Sequence, residues 1–225
     1  MKLYFTTENI DATITEIKQK LKLSMNGVTS DQMKSAGIHY RINYGVSIPR
    51  IKEIARDYQP NHDLAQRLWF LGIRETMILA TILQPAETFN KNIAIEWISN
   101  FNQPEIVEQT CMNLLSKLPY WSELSLESIQ SENRWIQVTG FTLAARNYQQ
   151  LTDTDIHFML KKSVELLPTN EFHLYKSIAL FLSRLTRKGE EISAQITQKL
   201  ALLPQNEVSV KYVTEQVMQE INFFG

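Results

Sequence analysis

The sequence predicts an all-α protein built as a solenoid of helical repeats, and three observations carry that prediction. Apolar residues recur at three and four positions through nearly all of the 225-residue chain, the spacing of helices that bury one face. Gly27, Pro60, Gly72, Pro85, Pro104, Pro119, Pro168, Gly189 and Pro204 punctuate the chain. They leave helices that group into pairs about 30 to 40 residues long, the length of two-helix repeats. Strand signals are missing, since no two-residue hairpin turn joins alternating apolar runs and the chain has only seven glycines. The repeats are degenerate, so an irregular helical bundle is the competing architecture.

Met1 to Phe5 reads as a short apolar lead that either packs on the body or frays. The first helix is expected from Glu8 to Leu23, with Ile10, Ile14, Ile17 and Leu21 on one side and Lys18, Lys20 and Lys22 late, where cations suit the helix dipole. Gly27 interrupts it, and Thr29 or Ser30 caps a short helix through Met33 and Ala36 that Gly37 ends. A turn with Gly45 then feeds a helix starting at Pro49, whose missing N–H has no intrahelical role at that end. Ile51, Ile54 and Ala55 form its apolar face. After Pro60, Asp63 is positioned to cap a helix with Leu64, Ala65, Leu68 and Trp69 on one side, ended by Gly72. The helix that follows, with Ile73, Met77, Ile78, Ala80, Thr81 and Ile82, is apolar over a wide arc and should be central.

Beyond Leu83 the pattern repeats. From Thr88 to Asn100 the apolar set is Phe89, Ile93, Ile95, Trp97 and Ile98; from Pro104 it is Ile106, Val107, Cys111, Leu114, Leu115 and Leu118. Further helices are expected over Ser122–Ile129, Asn133–Tyr148, Thr152–Leu167, Asn170–Arg187, Glu190–Leu203 and Glu207–Ile221, with a break at Gly140 or near Asn147. Trp69 and Trp97 read as core, whereas Trp121 falls in a loop after Pro119 and Tyr120 and reads as an exposed contact. The whole of residues 1–225 is expected to form one domain.

Composition narrows the function classes. The chain is 44% hydrophobic and 21% charged, with 23 basic against 24 acidic residues, so its total charge advertises no polyanion partner. A basic face balanced by an acidic back gives the same sum. Cys111, the single cysteine, excludes an internal disulfide, and its apolar neighbours make it a buried structural thiol. With no apolar run of signal-peptide or membrane-span length, a reducing cytoplasmic location and no membrane partner are expected. His39, His62, His157 and His173 are scattered and have no cysteine cluster beside them, so neither metal nor other cofactor is called for. The carboxylate pairs Glu105/Glu108 and Glu190/Glu191 read first as solvated helix faces.

One stretch carries more than periodicity. Tyr44-Gly45-Val46 followed by Pro49, then Arg50, Ile51, Ile54 and Ala55, then Leu64-Ala65 with Leu68-Trp69, then Arg74-Glu75 with Ile78, Leu79 and Ala80, resembles the amino-terminal signature of the DNA alkylation repair family, the AlkD-like proteins. The resemblance is good over roughly residues 10 to 85 and beyond that lies in helix spacing. It implies a right-handed superhelix of HEAT-like repeats with a concave groove for double-stranded DNA. Active members of the family are similar to monofunctional glycosylases that release purines alkylated at N3 or N7 without a metal.

The chemistry that the resemblance implies needs indole faces, a carboxylate and arginines. Indoles hold the cationic alkylated purine, the acid stabilises the sugar cation as the glycosidic bond breaks, and arginines contact backbone phosphates. In active members a tryptophan precedes the catalytic aspartate by four residues. Here Pro104 takes the tryptophan's place and Glu108 the aspartate's; Val138 follows Trp135-Ile136-Gln137 where an arginine belongs; Leu180 stands for the second tryptophan; and Ser183, beside Arg184, stands for another arginine. The fold inference survives these substitutions and the usual excision mechanism weakens.

Glu108 is therefore either the oxocarbenium-stabilising acid or a solvated glutamate, and Trp135 is either a base-stacking ring or core. Lys161, Lys162, Lys176, Arg184, Arg187 and Lys188 form the candidate basic ridge for DNA. The expected function is binding of double-stranded DNA, alkylated or branched, in a repeat groove. The competing reading is a non-catalytic scaffold whose groove takes a protein or peptide.

Overall fold

The helical periodicity becomes thirteen α-helices and three single 3-10 turns in a computed structural model that describes residues 8–224. The apolar lead Met1 to Phe5 lies outside the described residues. Among the described residues there is no strand, and one isolated bridge joins Ile42 to Ile73. The chain divides at Asn90 into two compact units.

The first unit holds α1 (Glu8–Leu23), α2 (Gly27–Ser35), α3 (Ile48–Ala55), α4 (His62–Phe70) and α5 (Arg74–Leu83). Helix α5 packs on α3 and α4, and α1 packs on the same two. Ile17, Leu21, Ile51, Ile54, Leu68, Ile78 and Leu79 are fully enclosed between them, each stabilising the unit by roughly 1.5 to 3 kcal/mol. Two caps fall earlier than expected. Asn26, not Thr29 or Ser30, caps α2 by accepting the Thr29 N–H at 3.0 Å. Asn61, not Asp63, caps α4 by accepting the Leu64 N–H at 2.9 Å. Both asparagines are extended, which leaves their side chains free to fold back onto the first turn.

The turn at Gly45 requires glycine on two counts. Its φ is +68°, and a Cβ there would stand 2.0 Å from the Asn26 carbonyl oxygen. The backbone around it is held from α5, where the buried Glu75 carboxylate accepts the Tyr44 N–H at 3.1 Å and the Val46 N–H at 3.2 Å. Arg74 completes this clasp, pairing with Glu75 at 2.9 Å and donating to the Val46 carbonyl at 2.8 Å. A buried ion pair is tolerable because each charge has hydrogen-bond partners besides the other.

The second unit holds α6 (Lys91–Ser99), α7 (Pro104–Asn113), α8 (Trp121–Ile129), α9 (Arg134–Arg146), α10 (Asp153–Leu166), α11 (Phe172–Thr186), α12 (Glu190–Ala201) and α13 (Val208–Phe224). Its packing is that of stacked two-helix repeats: α7, α9, α11 and α13 pack successively in one row, and α8, α10 and α12 in another. Asn133 caps α9, and Thr152 with Asp155 forms a capping box on α10. Gly140 lies inside α9, and the break comes at Asn147. A Cβ at Gly140 would meet Ile129 Cγ1 at 2.7 Å and the Ser125 carbonyl oxygen at 2.9 Å, so its absence lets α8 and α9 touch backbone to backbone. Ser125 Oγ donates to the Gly140 carbonyl at 2.8 Å across that contact.

Phe141 and Phe181, 5.9 Å apart, and Trp97 fill the core of this unit. Two apolar assignments change. Ile95 is 46% exposed, and Ala94 turns inward in its place. Trp121 is the first residue of α8 and is buried, because the chain turns into the helix directly after Tyr120. Cys111 is fully buried, and burial pushes its thiol up to about 12. Among the described residues no helix is long and apolar enough to cross a membrane.

Candidate nucleic-acid interface

Helix α11 positions the densest set of candidate residues. Leu174, Ile178, Phe181, Leu182 and Leu185 bury its inner face, which leaves Phe172, Lys176, Leu180, Arg184 and Arg187 along the outer one at helical spacing. Lys176 and Arg184 are exposed, and among the described residues neither has a hydrogen-bond or ion-pair partner. Arg187 is engaged, pairing with Glu220 of α13 and lying 4.2 Å over the Phe224 ring. Leu180, in the slot expected for a tryptophan, is 41% exposed on this stripe, with Ser183 half-buried beside it.

The remaining basic residues are committed locally. Lys161 and Lys162 both pair with Glu165 on α10, at 3.9 Å and 2.7 Å. Lys188 donates to the Leu151 carbonyl at 2.8 Å and lines a cleft of 680 Å³ with Asp153, Ile156, His157, Glu191 and Ile192. No hydrogen bond or ion pair among the described residues links the α10 lysines to the α11 stripe.

On α7, Pro104 opens the helix and Glu108 lies one turn on, exposed and without a hydrogen-bond or ion-pair partner among the described residues. The helix itself brings no indole to Glu108. Arg146, at the end of α9, and Glu108 both act electrostatically on the buried Cys111 thiol, in opposite directions. Val138 is buried and out of reach of a phosphate.

Trp135 belongs to the first turn of α9, where its N–H donates to Asn133 Oδ1 at 2.9 Å. It is half-buried, with its ring 5.1 Å from His173 and the Arg134 guanidinium 5.6 Å over it. Arg134 pairs with Glu171 at 2.6 Å. Burial holds His173 below its usual value, the Lys176 and Arg134 charges push the same way, and Glu171 opposes them. His173 is thus favoured as a neutral ring. Arg134, Phe172, His173 and Tyr212 escape a sequence reading because each looks like an ordinary residue near the start of its own helix. Among the described residues no cluster of His, Cys, Asp or Glu could hold a metal ion.

Two rows of helices, one of them carrying the exposed Lys176 and Arg184 on its outer stripe, define a helical-repeat protein. The chain belongs to the family described as DNA alkylation repair enzyme, whose model matches residues 17–196. A solved structure described as "a new family of proteins related to the HEAT-like repeat DNA glycosylases with affinity for branched DNA structures" is similar in fold. Its TM-score is 0.78 at 15% identity, over 93% of this chain and 94% of that one. The all-α HEAT-like repeat fold expected from the sequence is therefore the fold of this chain. An engineered protein is similar at a TM-score of 0.43 and 15% identity, over 79% of this chain and 85% of that one. No curated protein matches significantly.

Proposed function

We propose that this protein binds double-stranded DNA through the outer stripe of α11 and lacks the excision mechanism usual for its family. The observation that carries this reading is the pair Lys176 and Arg184, both exposed and uncommitted among the described residues. Eight residues of helix separate them by about 12 Å, so they serve different phosphates. Family membership and the branched-DNA affinity of the structural neighbour support the same partner. Lys161, Lys162, Arg187 and Lys188 contribute only by giving up their present partners, and Trp135 contributes a ring at the other end of α11, beside His173.

Excision requires a held purine as well as an acid. Glu108 would supply the acid, one methylene longer than the family's aspartate, but Pro104 and Leu180 offer no indole face and Val138 no cation. The two units act as one repeat domain, continuous with the family match that runs through both, in the cytoplasm and without a cofactor. A second reading, capture of a protein or peptide, is favoured by Leu180 and Phe172, two exposed apolar side chains on the same stripe.

The test is binding of plain duplex and of duplex containing N7-methylguanine across a salt series, with base release scored in the same samples. Salt-dependent binding without release is the expected result. Release would assign an excision role to Glu108, to be checked with Glu108→Gln. Absence of binding at low salt would favour the peptide-binding reading.

A further inference from the structure

The repeat stacking assembles a further feature at the amino-terminal ends of α9, α11 and α13. Rings from three successive helices meet there. Trp135 of α9 lies 5.1 Å from His173 of α11, Phe172 of α11 lies 5.3 Å from His173 and 6.5 Å from Tyr212 of α13, and Tyr175 lies 5.3 Å from Tyr212. Tyr175 is buried and forms the back of the cluster, while Phe172 is 48% exposed at its front. The neighbours of Phe172 meet it at interplanar angles of 72°, 86° and 61°, so among the described residues no ring lies flat on its face.

We propose that these first turns form an aromatic ledge on which an unpaired DNA base stacks, with Lys176 holding an adjoining phosphate. The proposal rests on the DNA-binding reading above and adds which part of a DNA the protein prefers. Lys176, exposed and uncommitted among the described residues, supplies the positive charge that favours a nucleotide over an apolar peptide, while Arg134 is paired with Glu171. Geometry selects an unpaired base over a duplex, because a paired base has both faces covered by its neighbours in the stack. A gap, branch point or strand end offers a bare face, and aromatic rings beside cations are the usual way such bases are held.

The experiment compares full-length protein binding to a paired duplex and to the same duplex carrying a short single-stranded thymidine gap. The wild type is expected to prefer the gapped DNA about tenfold. Phe172→Ala is expected to remove that preference, bringing its affinities for gapped and paired DNA to within about twofold of each other. Phe172→Leu, which keeps apolar bulk without a π face, should behave like Phe172→Ala, and Phe172→Tyr like the wild type. A readout without any substitution is the intrinsic fluorescence of the wild type: Trp135 lies in the ledge while Trp69, Trp97 and Trp121 are buried, so gapped DNA should quench it saturably and paired DNA should not. Equal wild-type affinity for the two DNAs, or full gap preference in Phe172→Leu, overturns the ledge and leaves duplex binding standing. Failure to bind either DNA overturns both readings.

Discussion

Removing Lys176 and Arg184 together should flatten the salt dependence of duplex binding. Each phosphate contact releases about 0.9 of a counterion from B-form DNA, so losing two contacts makes the slope of log affinity against log salt shallower by about 1.8. Between about 50 and 200 mM salt the wild type should then lose about 12-fold more affinity than Lys176→Ala/Arg184→Ala. Both side chains are exposed and uncommitted among the described residues, so their truncation strands no buried partner and should shift stability by no more than about 0.5 kcal/mol. Fluorescence anisotropy with a labelled duplex reads the slope, and a thermal melt confirms that the variant is folded. Lys161→Ala/Lys162→Ala serves as the comparison, since the charges removed there are partly neutralised by Glu165 and the slope should change less. An unaltered slope in the Lys176 and Arg184 variant would refute the assignment of α11 as the DNA face.

Other consequences follow from the packing. Glu75→Gln removes the buried carboxylate charge that pairs with Arg74 and accepts the Tyr44 and Val46 N–H groups, and should cost about 3 to 5 kcal/mol in denaturant unfolding; a cost below about 1 kcal/mol would mean that the clasp is not holding the 44–46 backbone. Gly45→Ala drives a methyl group against the Asn26 carbonyl at a left-handed φ and should destabilise by about 2 to 5 kcal/mol, and a neutral effect in the same unfolding assay would contradict the geometry. Cys111 should resist thiol reagents until the protein unfolds, its buried thiol being pushed up to about 12, and rapid labelling of the native protein would show that the site opens. His173 is depressed in the folded protein, so the unfolded chain takes up its proton first: stability is full above pH 6.5 and is lost as pH falls through the lower folded value. His173→Gln should accordingly lose less stability on acidification than the wild type in paired urea melts, and an identical loss would remove His173 from the acid response.

Most of the fold is written in local chemistry. Helix α1 ends where its apolar repeat ends, and Asn133 and Thr152 cap α9 and α10 as their residue types demand. The errors arise where tertiary context decides between similar local options. Asn26, Thr29 and Ser30, within five positions, are all residue types that cap, and the structure selects the asparagine whose N–H is also tied to the Tyr44 carbonyl at 2.9 Å. Ile95 looked like core because it is apolar, but the packing of α6 turns Ala94 inward. The candidate site is less legible for a physical reason. Arg134 and Glu171 lie 37 positions apart and meet because one repeat stacks on the next. Sequence periodicity reveals that stacking but not which side chains it brings into register.

The Arg74–Glu75 clasp also changes what a family resemblance can transmit. The residues that make this chain recognisable, Tyr44-Gly45-Val46 and Arg74-Glu75, are joined to one another inside the first unit, whereas Glu108, Trp135 and the α11 stripe all belong to the second. The clasp holds the 44–46 backbone whatever stands at positions 108 and 135 or along α11, so a chain can keep the hallmark of the resemblance while its candidate DNA contacts differ.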